Sequence, residues 1–345
     1  TAIGISARAR GDGALALGTQ TKATSIRSTA IGHQAEASGA DSISIGTLSG
    51  ASNTHSIAIG EKARAYGIDA IAFGASANAT ATNSMAVGRN ARSTAGGSVA
   101  VGINTEVTQI NSVAMGATAK AYGDSAVSLG VDVVSRGHSA VAVGANADAL
   151  AQSAVSIGDS TLANAHNAVS VGISSQATAE RAIAMGDSTR ATAWDGVAIG
   201  TAAKANATGA VAIGKDALAN QEAGTAVGIG AEATGQYAAA FGDVAKASVR
   251  WGTAIGTGSL ANVAAGAVGY DPSGAFHSDD TTGTWKSTLG AVAVGDTTRN
   301  KTRQIIGVAA GTNDTDAVNV AQLKAAQLGG GGDSSWVIQD TNSPQ

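Results

Sequence analysis

Ser56-Ile57-Ala58-Ile59-Gly60, followed by Ala63-Arg64-Ala65-Tyr66, is the phrase on which the fold turns. It returns as Ser98-Val99-Ala100-Val101-Gly102, and its closing glycine recurs every 14 residues from Gly4 and Gly18 to Gly256, 18 steps without a slip. A short fixed period marks a structural unit that cannot fold alone and is stacked on copies of itself. With the glycine as position 0, position −1 is large and apolar in all 19 copies, and position −2 is always Ala or Ser. Position −3 is Ile, Leu, Val or Met in 14 of them, the exceptions being Thr1, Thr29, Thr225, Ala239 and Thr253. Large, small, large over three residues is the period of a strand, and the β-branched residues agree.

A second strand follows each glycine. Positions +3 and +5 are small, as in Ala203 and Ala205, whereas +4 and +6 are polar or variable, as in Lys204 and Asn206. The glycine takes positive φ at no steric cost and turns the chain between the strands. Polar or small residues near +7 to +9, such as Gly67, Asn83 and Gly123, make the second turn. Two strands and two turns per 14 residues predict one coil of a parallel β-roll, an all-β fold. Nineteen coils at the inter-strand spacing give a rod roughly 90 Å long. Size complementarity favours the large −3 and −1 residues inside, with the Ala/Ser column at −2 against a close neighbour; the opposite facing stays open. So thin a roll buries too little per coil to offset chain ordering, which predicts an obligate oligomer.

Composition narrows the functional classes. There is no cysteine, and aromatics make up 3% of 345 residues, so neither a disulfide framework nor a thick core is expected. The formal net charge of −4 is mixed along the chain, with no basic block for nucleic acid and no run for a spanning helix. The five histidines lack metal-ligand spacing, and no serine sits in a nucleophile elbow. Repetition itself disfavours a unique catalytic constellation. No enzyme activity, metal or cofactor is expected. The chain starts inside a repeat, at Thr1-Ala2-Ile3-Gly4, which reads as a fragment of something longer.

The repeats resemble those of YadA-type heads in the trimeric autotransporter adhesins of Gram-negative bacteria, over about residues 1–262. That resemblance implies a left-handed parallel β-roll, a homotrimer and a role as a surface adhesin head. It further implies anchoring in the outer membrane by a C-terminal region outside this sequence, with no membrane insertion of the present segment. The register breaks after Gly256, and Gly269-Tyr270-Asp271 opens an irregular stretch containing Phe276, His277, Asp279, Asp280 and Trp285. Thr288-Leu289-Gly290-Ala291-Val292-Ala293-Val294-Gly295 then restores the phrase, which resembles a head insertion plus last coil over 263–298. Residues 299–328, with Thr302-Arg303-Gln304-Ile305-Ile306-Gly307-Val308 and Asp316-Ala317-Val318-Asn319-Val320-Ala321-Gln322-Leu323, resemble the family's neck and the start of a coiled coil. By that resemblance Arg303, Ile305, Ile306, Val308, Val318, Val320 and Leu323 belong to the trimer interface. A helix is expected to begin near Ala317, capped by Asp314 or Thr315. Residues 329–345 read as a linker or the first part of a further module.

The variable outer column supplies the candidate ligand-binding residues, Lys22, Arg64, Tyr66, Arg92, Lys120, Tyr122, Lys204 and Lys246. A rigid frame carrying changeable polar side chains suits multivalent contact with an extended partner. The expected partners are extracellular matrix proteins or host cell-surface receptors. A surface-fibre spacer and an ice- or crystal-binding solenoid are the alternatives, although the mixed outer face counts against the latter. Trp194 and Trp251 fall in turns, either as exposed anchors or, with slight preference, as covers of the roll's edge.

Overall fold

The computed structural model describes residues 1–271 and 274–329, so the expectation for 330–345 lies outside the described residues. The repeat folds as a parallel β-solenoid with one strand pair per coil. Positions −3 to −1 form one column of strands, represented by Ile57–Ile59 and Ile71–Phe73, and +4 to +5 form the other, represented by Arg64–Ala65. Each strand pairs in parallel with its equivalent 14 residues on, Ile57 with Ile71, Ala58 with Ala72 and Arg64 with Asn78. The first sheet has 20 strands among the described residues. The turns stack as well: the Lys62 amide donates to the Thr47 carbonyl at 2.8 Å, and the Asp69 amide to Thr54 at 3.1 Å.

Both corners are four-residue turns. The Ala63 amide donates to the Gly60 carbonyl and the Ala70 amide to the Gly67 carbonyl, each at 3.3 Å. Their third residues, Lys62 and Asp69, are left-handed at φ 57° and 54°, as a type II turn demands. Sequence reasoning found the glycine and missed these positive-φ sites, because most are not glycine. Position 0 itself admits nothing larger: a Cβ on Gly32 would stand 2.6 Å from the Gly46 carbonyl oxygen of the next coil.

The structure reverses the favoured facing of the first strand. Ala58 and Ala72, at −2, have no exposed surface, and neither do Ala63, Ala65 and Ala70 at +3, +5 and −4. The aliphatics Ile57 and Ile59 point outward and are half-buried. The reason lies in the corners. A β-turn holds its first and fourth Cα atoms less than about 7 Å apart, whereas sheets packed through ordinary side chains stand about 10 Å apart. The walls are therefore too close for Ile or Leu, and the core is a column of alanines and hydroxyls in which Val107 and Val133 are the largest fully buried side chains. Interior hydroxyls satisfy one another across the gap, as in Ser44–Ser49 at 2.7 Å and Ser156–Thr161 at 2.7 Å.

The chain leaves the roll after Leu260–Ala261 and returns as Val292–Ala293, which pairs with Thr253 and Ala254 as the next strand of the first sheet. The Leu260 amide donates to the Gly295 carbonyl at 2.8 Å. Within the excursion, His277 stacks on Trp285 with centroids 4.4 Å apart and bonds Asp271 at 2.7 Å. Asp280 accepts from the Thr282 hydroxyl and from the amides of Trp285, Thr282 and Lys286, which hold its carboxyl well below the usual range.

The helix spans Val320–Gly329, starting later than expected. Its cap is Asn319, whose Oδ1 accepts from the Gln322 amide at 3.0 Å while Gln322 Oε1 accepts from the Asn319 amide at 3.2 Å, a reciprocal capping box. Gln322 also bonds both backbone groups of Gly311, which fastens the preceding segment to the helix start. Asp316 is occupied elsewhere, accepting from the Thr312 and Asn313 amides.

Candidate ligand-bearing face

Strand alternation, with +3 and +5 inward, turns +4 and +6 outward on every coil, so the second sheet presents two registered columns of side chains. Lys22, Arg64, Arg92, Lys120, Lys204 and Lys246 all stand in the +4 column; Tyr66 and Tyr122 stand in the +6 column. The structure thus places all eight predicted residues on one face, but along the rod rather than in a single cluster.

Several of them are already engaged. Lys22 lies 3.7 Å from Glu36, Arg92 3.9 Å from Glu106, and Lys246 2.8 Å from Glu232, each pair one coil apart. Tyr122 leans back one coil and donates to Glu106 at 2.7 Å. Partial burial, then the Glu106 bond, pushes its phenol up to about 12. Tyr66 makes the same diagonal step and covers Gly50. Lys120 is half-buried between Glu106 and Val134. Arg64 and Lys204 are exposed, and among the described residues neither makes an ion pair.

A second exposed edge runs along the +8 and +9 corner. Trp194 is 50% exposed and Trp251 37%, each keeping part of its indole open to solvent at the turn. Arg181 lies 5.1 Å from the Trp194 ring, and Arg250 3.9 Å from the Trp251 ring. Tyr237 stacks beside Trp251 at 6.4 Å. The tryptophans were visible in the sequence; the Arg181 partner of Trp194 was not, because that pairing depends on which residues the coils bring side by side.

The third face is apolar. The −1 residues Leu17, Phe73, Met115, Met185 and Phe241 are exposed, and the −3 aliphatics beside them are half-buried, giving a hydrophobic stripe along the whole rod. At its C-terminal end Ile305, Ile306, Val318, Val320 and Leu323, expected at a neck interface, are exposed as well, and Val308 is half-buried. Arg303 instead reaches back to the head, donating to Ser259 Oγ at 3.0 Å, to the Thr257 carbonyl at 2.6 Å and to the Val294 carbonyl. Among the described residues there is no cluster of three potential metal ligands, and no helix is long and apolar enough to cross a membrane.

A stacked solenoid with a thin inert core and three long displayed faces defines a class of repeat proteins built to present surface. The family described as the YadA head domain repeat matches eight successive windows, 1–21, 23–49, 51–77, 79–105, 108–132, 135–161, 163–189 and 191–217. The family described as the coiled stalk of trimeric autotransporter adhesin matches 304–329. These windows take in well over half of the chain, which belongs to the YadA-type head family of trimeric autotransporter adhesins.

Among curated proteins, the autotransporter adhesin BadA of Bartonella henselae is 64% identical over 67 residues. The trimeric autotransporter adhesin AtaA of Acinetobacter sp. (strain Tol 5) is 54% identical over 68 residues. Each match covers 19% of this chain and 2% of the relative. The crystal structure of the collagen-binding domain of the Yersinia adhesin YadA aligns at 25% identity over 61% of this chain and 87% of that one, with a TM-score of 0.36.

Proposed function

We propose that this chain is the head segment of a bacterial surface adhesin, non-enzymatic and homotrimeric, that attaches the cell to matrix proteins, host receptors or other surfaces. The observation carrying this reading is the apolar stripe at −3 and −1, exposed or half-buried over the full rod in the single chain. Contiguous apolar surface of that extent marks an association face. Three copies, wound left-handed as in the family, close it around an axis and leave the polar +4/+6 face outward. Residues 1–262 form the head repeats, 263–298 an insertion and last coil, and 299–328 the neck. Arg303 ties the neck to the head, and Ile305, Ile306, Val308, Val318, Val320 and Leu323 pack between chains. Adhesion then works by avidity, with many weak contacts repeated on three equivalent faces.

Sedimentation equilibrium joined to a binding panel of matrix proteins tests the reading. The expected outcome is a trimer whose attachment drops when Lys22, Arg64, Arg92, Lys120, Lys204 and Lys246 are changed together to Gln. A stable monomer, or attachment indifferent to all six changes, overturns it.

A further inference from the structure

The +4 column shows a simple electrostatic rule with one exception. Cations directly opposite one another on neighbouring strands repel, and the column avoids this by alternation. Lys22 has Glu36, Arg92 has Glu106, and Lys246 has Glu232. Arg8 is in register with Lys22, but the Glu36 carboxylate relieves that pair. Arg190 and Lys204 are also in register, both exposed, and their outer neighbours in the column are Gln176 and Leu218. Among the described residues neither makes an ion pair. Of the two registered cation pairs in the +4 column, Arg190 and Lys204 are therefore the one with no carboxylate next to it in the column.

Trp194 projects from the same coil as Arg190. Along that coil Arg190, Thr192 and Trp194 are exposed while Ala191 is buried and Ala193 is half-buried, so the three line the outer surface in sequence. One face of the Trp194 ring is held by Arg181, itself locked by a two-pronged bond to Asp195 at 2.6 and 2.8 Å. Arg181 also engages Glu180 at 3.0 Å, so both carboxylates beside the ring already have a partner. On the next coil the corner carries only Thr208 and Gly209, both far smaller than the indole. Asn206, exposed beside Lys204, adds an amide already oriented by the Thr192 hydroxyl at 3.2 Å.

We propose that Arg190, Lys204, Asn206 and Trp194 form a binding site for an acidic oligosaccharide, with a carboxylate or sulfate on the cation pair and a sugar ring on the indole. This rests on the reading of the +4/+6 face as the ligand-bearing one and assigns it a ligand class. Arg190 and Trp194 are four residues apart, the last of them inside the Ala193–Gly196 turn, so their backbones stand within roughly 13 Å, a span for about two sugar units rather than one. Guanidinium and ammonium side by side donate a bidentate and a point contact to one anionic group. The indole offers the flat apolar surface that the sugar's ring hydrogens require. An acidic peptide satisfies the cations but gains less from a single rigid aromatic plane, so the saccharide is the better fit.

Titration of the full chain with a sulfated hexasaccharide, followed by calorimetry and tryptophan fluorescence, tests the site. Saturable binding with a change in indole emission is expected. Arg190→Gln with Lys204→Gln weakens it at least tenfold, and Trp194→Ala at least fivefold at unchanged charge. The control pair Arg89→Gln with Lys215→Gln, an equal loss of charge at exposed residues outside both columns, leaves it unchanged. The proposal falls if the control pair matters as much as the named pair, if Trp194→Ala binds like the parent, or if an oligoglutamate of equal charge binds equally well. Circular dichroism verifies that each variant keeps the roll. Loss of saccharide binding with matrix attachment intact separates this site from the broader adhesive reading, which the panel above decides independently.

Discussion

Ser44 and Ser49 sit on opposite walls of one coil with their hydroxyl oxygens 2.7 Å apart, both fully buried. Two side chains reaching from facing sheets that meet after one heavy atom beyond Cβ leave no room for anything longer. The predicted consequence is asymmetry between neighbouring positions of the same strand. Ala58→Leu, in the interior, costs about 3 kcal/mol by overpacking, whereas Ile57→Leu, one residue away on the outer surface, costs under about 1 kcal/mol. Denaturant melts of the two variants check this. Equal losses would mean that the walls can part to admit a leucine.

The apolar stripe carries the second prediction. Ile199→Asp with Ile213→Asp places two charges on the −1 column, at side chains 37% and 36% exposed in the single chain. Burying an unpaired carboxylate between chains costs several kcal/mol, so the sedimentation coefficient should fall toward that of a dissociated species. Lys204→Asp, on the opposite sheet, should leave it unchanged.

Tyr122 supplies a pH dependence. Its phenol is raised to about 12 by partial burial and by the bond to Glu106. Between pH 10 and 12 the folded chain keeps this proton while the unfolded chain loses it. The contribution is therefore fully present below pH 10 and disappears as pH rises through about 12. Absorbance at the tyrosinate band should resolve one late-titrating phenol, absent in Tyr122→Phe, and the stability of that variant should decline less over the same interval.

Val244 is β-branched and left-handed, at φ 48°. The left-handed region disfavours such a residue, so Val244→Gly should raise stability by about 1 kcal/mol, read as a higher unfolding midpoint. A lower midpoint would show that contacts of the valine outweigh the backbone strain.

Arg303 binds two carbonyls and one hydroxyl at the end of the roll. Charge-assisted bonds of this kind contribute about 1.5–3 kcal/mol when desolvated and less when exposed. Arg303→Met should therefore accelerate hydrogen exchange over 253–262 and 291–296 by about tenfold, while leaving exchange near Ala58 untouched. Uniform acceleration along the rod would contradict a local role.

The period, the two strands per coil, the small +3/+5 face and the outward +4 column were all legible in the sequence, because a 14-residue repeat shows every constraint 19 times. The facing of Ile57 was misread because large-against-small complementarity is a sound rule for sheets separated by ordinary loops. Here Gly60–Ala63 and Gly67–Ala70 set the wall spacing first, and the side chains had to conform. The helix start was misplaced for a similar reason. Asp314 and Thr315 are good caps by type, but Asn319 and Gln322 satisfy each other and leave the earlier residues to the loop. Pairings across coils, such as Arg181 with Asp195 and Trp194, follow only once the register aligns residues 14 apart.

Because every strand pairs with its own equivalent one period later, as Ile57 does with Ile71, the rod's length is quantised. Removing or duplicating 14 residues shortens or lengthens it by one strand spacing, about 4.8 Å, and leaves both ends matched. An indel that is not a multiple of 14 would put turn residues opposite strand residues, and one of odd size would also swap inner for outer side chains from that point onward. Recombination between copies can thus tune how far the tip stands from its base without redesigning a single contact.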